Sequence, residues 1–417
     1  MLARDFYIKT DSNGHDSKFK KGKSVVIFEL YDIYRRHAIR LLMRIVLFFT
    51  FDVSIELWAK TGLLHREVRI YQELIRRYNI EVQFITYGGE SDKKWSEFLG
   101  DIQLLPVYAR MTKRQNKVLN ILQSVFIPWF FRNELKNADV LKTNQIWGGW
   151  VAVISKWIFN KPLIARCGNE FYDFSKKQNG SRKFLIFAYF VSKLTYSQAD
   201  CVHVASTRDK RLVHEVFKIP HKRIDVRSNW IESKIFYQMN NKRSTNKVLF
   251  VGRLTPQKNL SILIDALKFS DISVDVLGHG ELYSEIKDQI KKNNVNVKFL
   301  KTIPNNKMAE LYNHYAVYVM CSNYEGNPKT LLEAMSCGCA VVGTDVSGIR
   351  EIIQHEKTGL LVSQDSEMLR DAILRLISSD KLRESLGDAA SSYILKHNSF
   401  NSALENEFKS YKKLTDS

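Results

Sequence analysis

Apolar residues along this chain come in short runs, and the runs alternate between two periods. From Met43, RIVLFF reads as a buried strand, FDVSIELWAKTG as a turn-rich loop, LLHREVRIYQELIRRY as a helix with apolar positions at helical spacing, and VQFITYGG as a second strand. Further strands are predicted at Gln103–Val107, Val140–Thr143, Leu163–Arg166, Cys201–Ala205 and Ile224–Val226, with helical segments between several of them. Short apolar strands separated by helices imply a parallel sheet covered on both faces. Residues 231–246 are polar and aperiodic, and the alternation restarts after them with KVLFVG, NLSILIDALKF, SVDVLG, GELYSEIKDQIKK, VNVKFL, KMAELYNHY, VYVMCS, PKTLLEAMSCG, AVVGTD and LLV. The pattern predicts an α/β protein of two doubly wound domains, at 43–235 and 246–395. An extension precedes them at 1–42, and a helix over 396–417 can cross back to the first domain. Ligands of such sheets sit at the carboxyl ends of the strands, so paired domains enclose a cleft.

Composition changes the picture in one respect. The 417 residues are 45% hydrophobic and 26% charged, which fits packed domains and excludes disordered or fibrous material. The net charge of +19 is lopsided: residues 1–240 carry 40 Lys and Arg against 23 Asp and Glu, and the remainder 23 against 21. One domain is therefore expected to face a polyanion. Five cysteines, irregularly spaced, fit neither a disulfide framework nor a zinc site. The N-terminal residues lack the apolar core of a secretory signal, and the longest apolar run, Leu41–Phe51, is broken by Arg44. A spanning helix needs about 20 such residues. A cytoplasmic protein, peripheral on the inner face of the membrane, is expected.

Candidate chemistry concentrates in two loops of the second domain. After KVLFV comes Gly252-Arg253-Leu254-Thr255-Pro256-Gln257-Lys258-Asn259, where Gly252 permits a close turn and Arg253 and Lys258 place two cations at a helix mouth, suited to a diphosphate or simply solvated. After VYVMCS comes Glu325-Gly326-Asn327-Pro328-Lys329-Thr330-Leu331-Leu332-Glu333. Pro328 near the first helical turn leaves the following N–H groups open to an anion. Glu325 precedes the helix and Glu333 lies within it, on a face that can look back at the same ligand; an exposed helix glutamate is the plainer reading. One carboxylate for sugar hydroxyls and one for ribose is a consistent division.

Residues 248–362 carry VGRLTPQKNL, GHGEL, SNYEGNPKTLLEAMSCGCAVVGTDVSGIREII and KTGLLV in that order. They resemble the donor domain of the retaining GT-B glycosyltransferases of family four, the glycosyl transferases group one. The resemblance implies two Rossmann-like domains facing a cleft and a UDP- or GDP-sugar as substrate. Arg253 and Lys258 would neutralise the diphosphate and Glu333 would hold the ribose. Glu325, with the backbone of Gly326, Asn327, Pro328 and Lys329, would contact the donor sugar, and Gly252, Thr330 and Leu331 would complete the donor-binding turns. Catalysis would fall to Glu325, Arg253 and Lys258, without a metal or other cofactor. The first domain resembles the family less. Gly62, in Thr61-Gly62-Leu63-Leu64, would let backbone approach the diphosphate. Where many members carry a His after the strand LIAR, this chain has Cys167-Gly168-Asn169-Glu170. Asn169 and Glu170 are candidates for the acceptor side or for a plain loop.

The positive half also contains YARMTKRQNKVLNILQSVFIPWFFRNELKN. Arg110, Lys113, Arg114 and Lys117 beside Phe126, Trp129, Phe130 and Phe131 suit a helix in an anionic membrane interface, or a core-packed helix pair with solvated lysines, kinked or ended at Pro128. No nucleic-acid-binding pattern supports the competing polyanion. The expected activity is a retaining, nucleotide-sugar-dependent hexosyltransferase acting on a lipid-linked saccharide of cell-surface polysaccharide or glycolipid synthesis. The alternatives are a transferase for a soluble acceptor and a non-catalytic sugar-nucleotide-binding or scaffold protein of the same fold.

Overall fold

Runs of Val, Ile, Leu and Phe without alternation form strands buried on both faces, and thirteen of them build two sheets in the computed structural model, which describes residues 42–416. The chain divides into the units Met1–Met43 and Arg44–Ser417. The extension over 1–42, including SVVIFEL, lies outside the described residues except for Leu42.

The first sheet contains β1 (Arg44–Phe48), β2 (Glu81–Thr86), β3 (Gln103–Pro106), β4 (Val140–Thr143), β5 (Leu163–Cys167), β6 (Cys201–Val204) and β7 (Ile224–Val226). The second contains β8 (Ser244–Val251), β9 (Ser273–Leu277), β10 (Val297–Phe299), β11 (Tyr315–Met320), β12 (Ala340–Thr344) and β13 (Leu360–Val362). Their orders are β3-β2-β1-β4-β5-β6-β7 and β10-β9-β8-β11-β12-β13, parallel throughout. Strand order reverses between β1 and β4 in one sheet and between β8 and β11 in the other, so each sheet has a crevice at that point.

Alternation within the strands assigns the layers. In the first sheet Val46, Phe48, Leu141, Ala165, Cys167, Val202 and Val204 join one core with helices Gly149–Phe159 and Arg182–Gln198. The other face carries Lys142, beside Leu47 in register, and is covered by helices Leu64–Tyr78 and Phe400–Thr415. The second sheet has a separate core on each face. Chain segments cross between the domains side by side: Ile231 N–H donates to Asn398 O at 2.8 Å and Phe400 N–H to Ile231 O at 3.1 Å. The last helix then lies on the first sheet, with Phe408 stacked on Tyr78 at 3.9 Å.

Two local readings of the sequence need correction. The turn-rich loop after β1 contains a helix, Ile55–Lys60, because its open N–H groups find distant acceptors. Ser54 Oγ accepts from Leu57 N, and buried Asp92 accepts from Ile55 N at 3.2 Å and Glu56 N at 3.1 Å. The basic aromatic segment is three short helices, Lys117–Ser124, Ile127–Phe130 and Arg132–Lys136, and Pro128 sits in the first turn of the second, where a missing N–H costs nothing. Phe131 is fully buried, with the Arg110 guanidinium 4.3 Å above its ring. Neither group is free to enter an interface.

Lys142 lies in the middle of β4, 3% exposed, and pairs with Glu407 of the last helix, whose carboxylate is itself buried. Burial alone would raise the pKa of Glu407, but Lys142 and then His203 outweigh it and hold it down at about 2. Removing one partner of a buried pair strands the other charge. Glu407→Gln should therefore cost about 3–5 kcal/mol, and the double replacement Lys142→Met with Glu407→Leu should recover most of it. Because the folded pKa lies below the ordinary 4.5, the contribution is complete above that value and fades as pH falls toward 2. Urea midpoints measured across pH test both points: a Glu407→Gln protein with the wild-type midpoint and acid limb sinks the assignment.

Candidate functional site

The crevice of the second sheet is bounded by the loops that follow β8 and β11. They are tied together before any ligand arrives: Asn323 N–H donates to Gln257 O at 2.8 Å, Asn323 Nδ2 to Pro256 O at 2.7 Å, and Gln257 Nε2 to Tyr324 O at 3.2 Å. This cross-bracing brings Lys258 Nζ to 2.5 Å from Glu325 Oε1, with the carboxylate side chain only 7% exposed. Arg253, on the same loop as Lys258, is exposed, and its guanidinium makes no hydrogen bond or ion pair among the described residues. An anion at the crevice thus meets one open guanidinium beside one compensated lysine. Gly252 fixes the turn by donating its N–H to Leu277 O at 3.0 Å.

Helix Lys329–Ser336 starts at Pro328 with no side-chain cap, so its first N–H groups remain open to an anion. Glu333 is not the exposed helix glutamate of the plainer reading. It is 5% exposed, accepts from Tyr312 Oη at 3.0 Å, and is pushed up in pKa by burial. Thr330 Oγ1 accepts from Tyr318 Oη at 3.1 Å. Leu331 is fully buried in the core, so only its backbone can serve a ligand. Asn327 binds across the domains, its Oδ1 accepting from Asn229 N at 2.9 Å and its carbonyl from Asn229 Nδ2 at 2.6 Å.

Gly326 lies against the first domain at Gly168 and Asn169. A Cβ there would lie 2.4 Å from Asn169 Oδ1 and 3.2 Å from Gly168 O, so any other residue would force Asn169 to move. Asn169 thereby faces the donor loop. Glu170 is buried and caps helix Phe171–Lys177, accepting from Asp173 N at 2.7 Å and Ser192 Oγ at 2.9 Å. Its carboxyl is raised in pKa by burial. Both residues border a small cavity with Glu325 and Gly326. Gly62 has φ +71° with open space about it and borders none of the described cavities. A further latch comes from Glu351, which accepts from Thr207 N at 2.7 Å and Arg208 N at 2.9 Å at the start of helix Thr207–Phe217.

Several cleft groups escaped sequence reasoning. Lys329 Nζ sits 4.3 Å over the Trp230 ring, and burial, then repulsion from Arg66, pushes it down to about 7. Arg66 and Glu67 stand opposite, one turn into the helix that the Gly62 loop opens, with Arg166 Nη1 3.8 Å from Glu67. For Glu67 burial would raise the pKa, but Arg166 and Arg66 outweigh it and lower it. The available signal was a charged residue inside an otherwise apolar strand, as with Arg166 in LIAR and Lys142 in VLKT. Metal-type ligands meet at one place among the described residues, where atoms of Cys201, His203 and Asp225 lie within 4.8 Å of one another. Burial holds the Cys201 thiol up at about 12, and Arg227 binds Asp225 at 3.3 Å, so the trio is poorly suited to a cation.

Residues 232–393 match the family model of glycosyl transferases group 1. An uncharacterized glycosyltransferase of Methanocaldococcus jannaschii is 32% identical over 190 residues, 45% of this chain and 53% of that protein, so the chain spans about half of that relative's length. The N-acetylgalactosamine-N,N'-diacetylbacillosaminyl-diphospho-undecaprenol 4-alpha-N-acetylgalactosaminyltransferase of Campylobacter jejuni is 28% identical over 66% of this chain and 78% of its own. Among solved structures, sucrose-phosphate synthase of Thermosynechococcus elongatus superposes with TM-score 0.73 at 19% identity, over 89% of this chain and 99% of that one. HepE of Anabaena in complex with UDP does so with TM-score 0.72 at 16% identity, over 89% and 100%. With its two parallel sheets and the crevice loops as described, the chain has the GT-B fold, and its second domain is similar to the glycosyl transferases group 1.

Proposed function

We propose that the chain is a retaining hexosyltransferase that uses a UDP- or GDP-sugar and transfers to the saccharide of a lipid-linked acceptor at the inner face of a membrane. The observation that carries this reading is the open Arg253 beside the Lys258–Glu325 pair, at the point where the second sheet reverses its strand order. The UDP in the HepE structure and the diphospho-undecaprenol acceptor in the name of the Campylobacter relative support the two substrate classes.

Transfer breaks the bond between the anomeric carbon and the donor phosphate oxygen, leaving its electron pair on the diphosphate. Arg253, Lys258 and the open N–H groups of helix Lys329–Ser336 stabilise that charge as it grows. The acceptor hydroxyl attacks from the same face, and its proton passes to the departing phosphate oxygen. Glu325, held in place by Lys258, contacts hydroxyls of the transferred sugar, and Glu333 takes the ribose. Fixed cations replace a metal in this scheme.

An acceptor anchored in lipid calls for a surface that meets lipid. Val118, Leu119, Leu122, Phe126 and Trp129 are each half exposed or more, and so are Ile186 and Phe190 of helix Arg182–Gln198. The two groups belong to one surface: Phe187 lies 6.4 Å from Trp150, whose Nε1 donates to Ser124 Oγ at 2.8 Å. Exposed Lys113, Arg114, Lys117, Arg182 and Lys183 accompany it. An apolar surface among cations is the chemistry of an anionic bilayer contact. Among the described residues no helix is long and apolar enough to cross a membrane.

Hydrogen bonds to charged groups are worth roughly 1.5–3 kcal/mol, so Arg253→Ala and Lys258→Ala should each cut transfer about 10- to 150-fold in a radiolabelled-donor assay, while EDTA leaves it unchanged. Activity abolished by chelation and restored by divalent ions overturns the metal-free scheme. Glu333→Ala should weaken nucleotide binding by calorimetry, whereas Glu325→Ala should lower turnover with binding retained; wild-type behaviour of both removes them from the site.

Vesicle sedimentation tests the surface. Wild type should bind anionic but scarcely neutral vesicles, and less at high salt. Replacing Lys113, Arg114 and Lys117 together with Glu should abolish that binding, and equal sedimentation of the triple variant rejects the membrane contact.

A further inference from the structure

The face of the first sheet that carries Lys142 is not closed at its carboxyl end. A cavity of about 200 Å³ lies there between helices Leu64–Tyr78 and Phe400–Thr415, and it opens on the cleft at Trp230 and Lys329. Five cations line it, Arg66, Lys142, Arg166, Arg227 and Lys329, against two carboxylates, Glu67 and Glu407. Glu407 is taken up by Lys142, and Glu67 is shared between Arg66 at 3.1 Å and Arg166 at 3.8 Å. Lys329 makes no ion pair among the described residues. Its pKa near 7 reflects a cation buried among cations, with Arg66 repelling it and only Glu333, Glu67 and Glu232 attracting it from a distance.

Unpartnered donors point the same way. The cavity continues past Arg166, Arg227 and Asn229 into a side chamber of about 30 Å³ bordered by His203. His203 is 1% exposed and neither ring nitrogen has a hydrogen-bond partner, Glu407 Oε2 standing 3.7 Å from Nδ1; Arg227 Nε is likewise buried and unpartnered, while its Nη2 donates to Asp225 and Ser410. Buried donors without acceptors are rare and costly, and they are common where a ligand supplies the acceptor. Two arginines at fixed positions suit the paired oxygens of a phosphate better than a lone carboxylate.

We infer that this cavity is an anion site of the acceptor half of the cleft, meeting the donor loops only at Lys329, and that it takes the phosphate or diphosphate group through which the acceptor saccharide is joined to its lipid. The inference rests on the lipid-linked acceptor of the proposed function and adds the residues that would recognise it. Arg166 and Arg227 grip the phosphate oxygens, Arg66 and Lys329 close the mouth of the cavity, and Lys142, tied to Glu407, supplies a fixed wall.

The test is calorimetric titration of the full chain with inorganic pyrophosphate while the donor site is saturated with UDP or GDP. One further binding event is expected, weakened at least tenfold by Arg227→Gln and by Arg66→Gln, a rim substitution that leaves the core untouched, with UDP or GDP affinity retained. Absence of that event, or its persistence unchanged in both variants, overturns the site. Farnesyl diphosphate and phosphatidylglycerol vesicles separate the sources of phosphate: displacement of pyrophosphate by farnesyl diphosphate supports the acceptor assignment, and displacement by the vesicles alone overturns it in favour of a headgroup. Failure of the proposed function reads differently. A chain that binds pyrophosphate in this cavity yet transfers no sugar to prenyl-diphosphate-linked saccharide keeps the site and loses the transferase reading.

Discussion

A lysine in the middle of a parallel strand has to find a carboxylate, and in this chain the search is answered 265 residues later. Lys142 sits on β4, next to the reversal of the first sheet, and Glu407 reaches it from the last helix. The fold cannot be completed as two independent beads. The chain begins one sheet, builds the other, and returns to cover a face of the first, so the crossing segments at Ile231 and Ser399 run together as one joint. Replacing such a pair with apolar residues is often neutral or stabilising. What the pair adds here is a defined seat for the returning helix, and with it a polar wall along the cleft.

Architecture was largely legible because period and burial agree. Runs such as RIVLFF, KVLFV and AVVGTD read as strands, and the loops after KVLFV and VYVMCS fall at the reversal of the second sheet, where ligands of such sheets bind. Local spacing failed where partners are remote. Helix Ile55–Lys60 exists because Asp92, from beyond β2, supplies acceptors that its own sequence lacks. The 110–132 segment reads as one amphipathic stretch, yet Phe131 turns inward under Arg110 while Phe126 and Trp129 stay out. Within the candidate site the loops themselves were visible; the binding of Lys258 to Glu325, the burial of Glu333 against Tyr312, and the cluster of Arg66, Glu67 and Arg166 join residues remote in sequence, which only the folded domains bring together.

Charge is distributed by task. On the proposed reading, negative charge that develops during transfer lies on the donor side, beside Arg253, Lys258 and one helix N-terminus. The large positive excess belongs to the other domain, partly around an exposed apolar surface and partly inside a cavity on the opposite face of its sheet. A single net charge therefore hides three environments with different dielectric surroundings: an exposed one that salt screens, and two partly enclosed ones that it scarcely reaches.

Glu351 holds the first two N–H groups of helix Thr207–Phe217 from across the cleft. Any separation of the domains hands those donors, and the Asn229–Asn327 contacts, back to water at once. The rim of the cleft is accordingly clasped by hydrogen bonds to backbone groups. Hydrogen bonds of this kind exchange with solvent at small net cost, so the rim can part and close again in register, and on the proposed reading the dwell time of a departing nucleotide depends on the rim as much as on the groups that bind it.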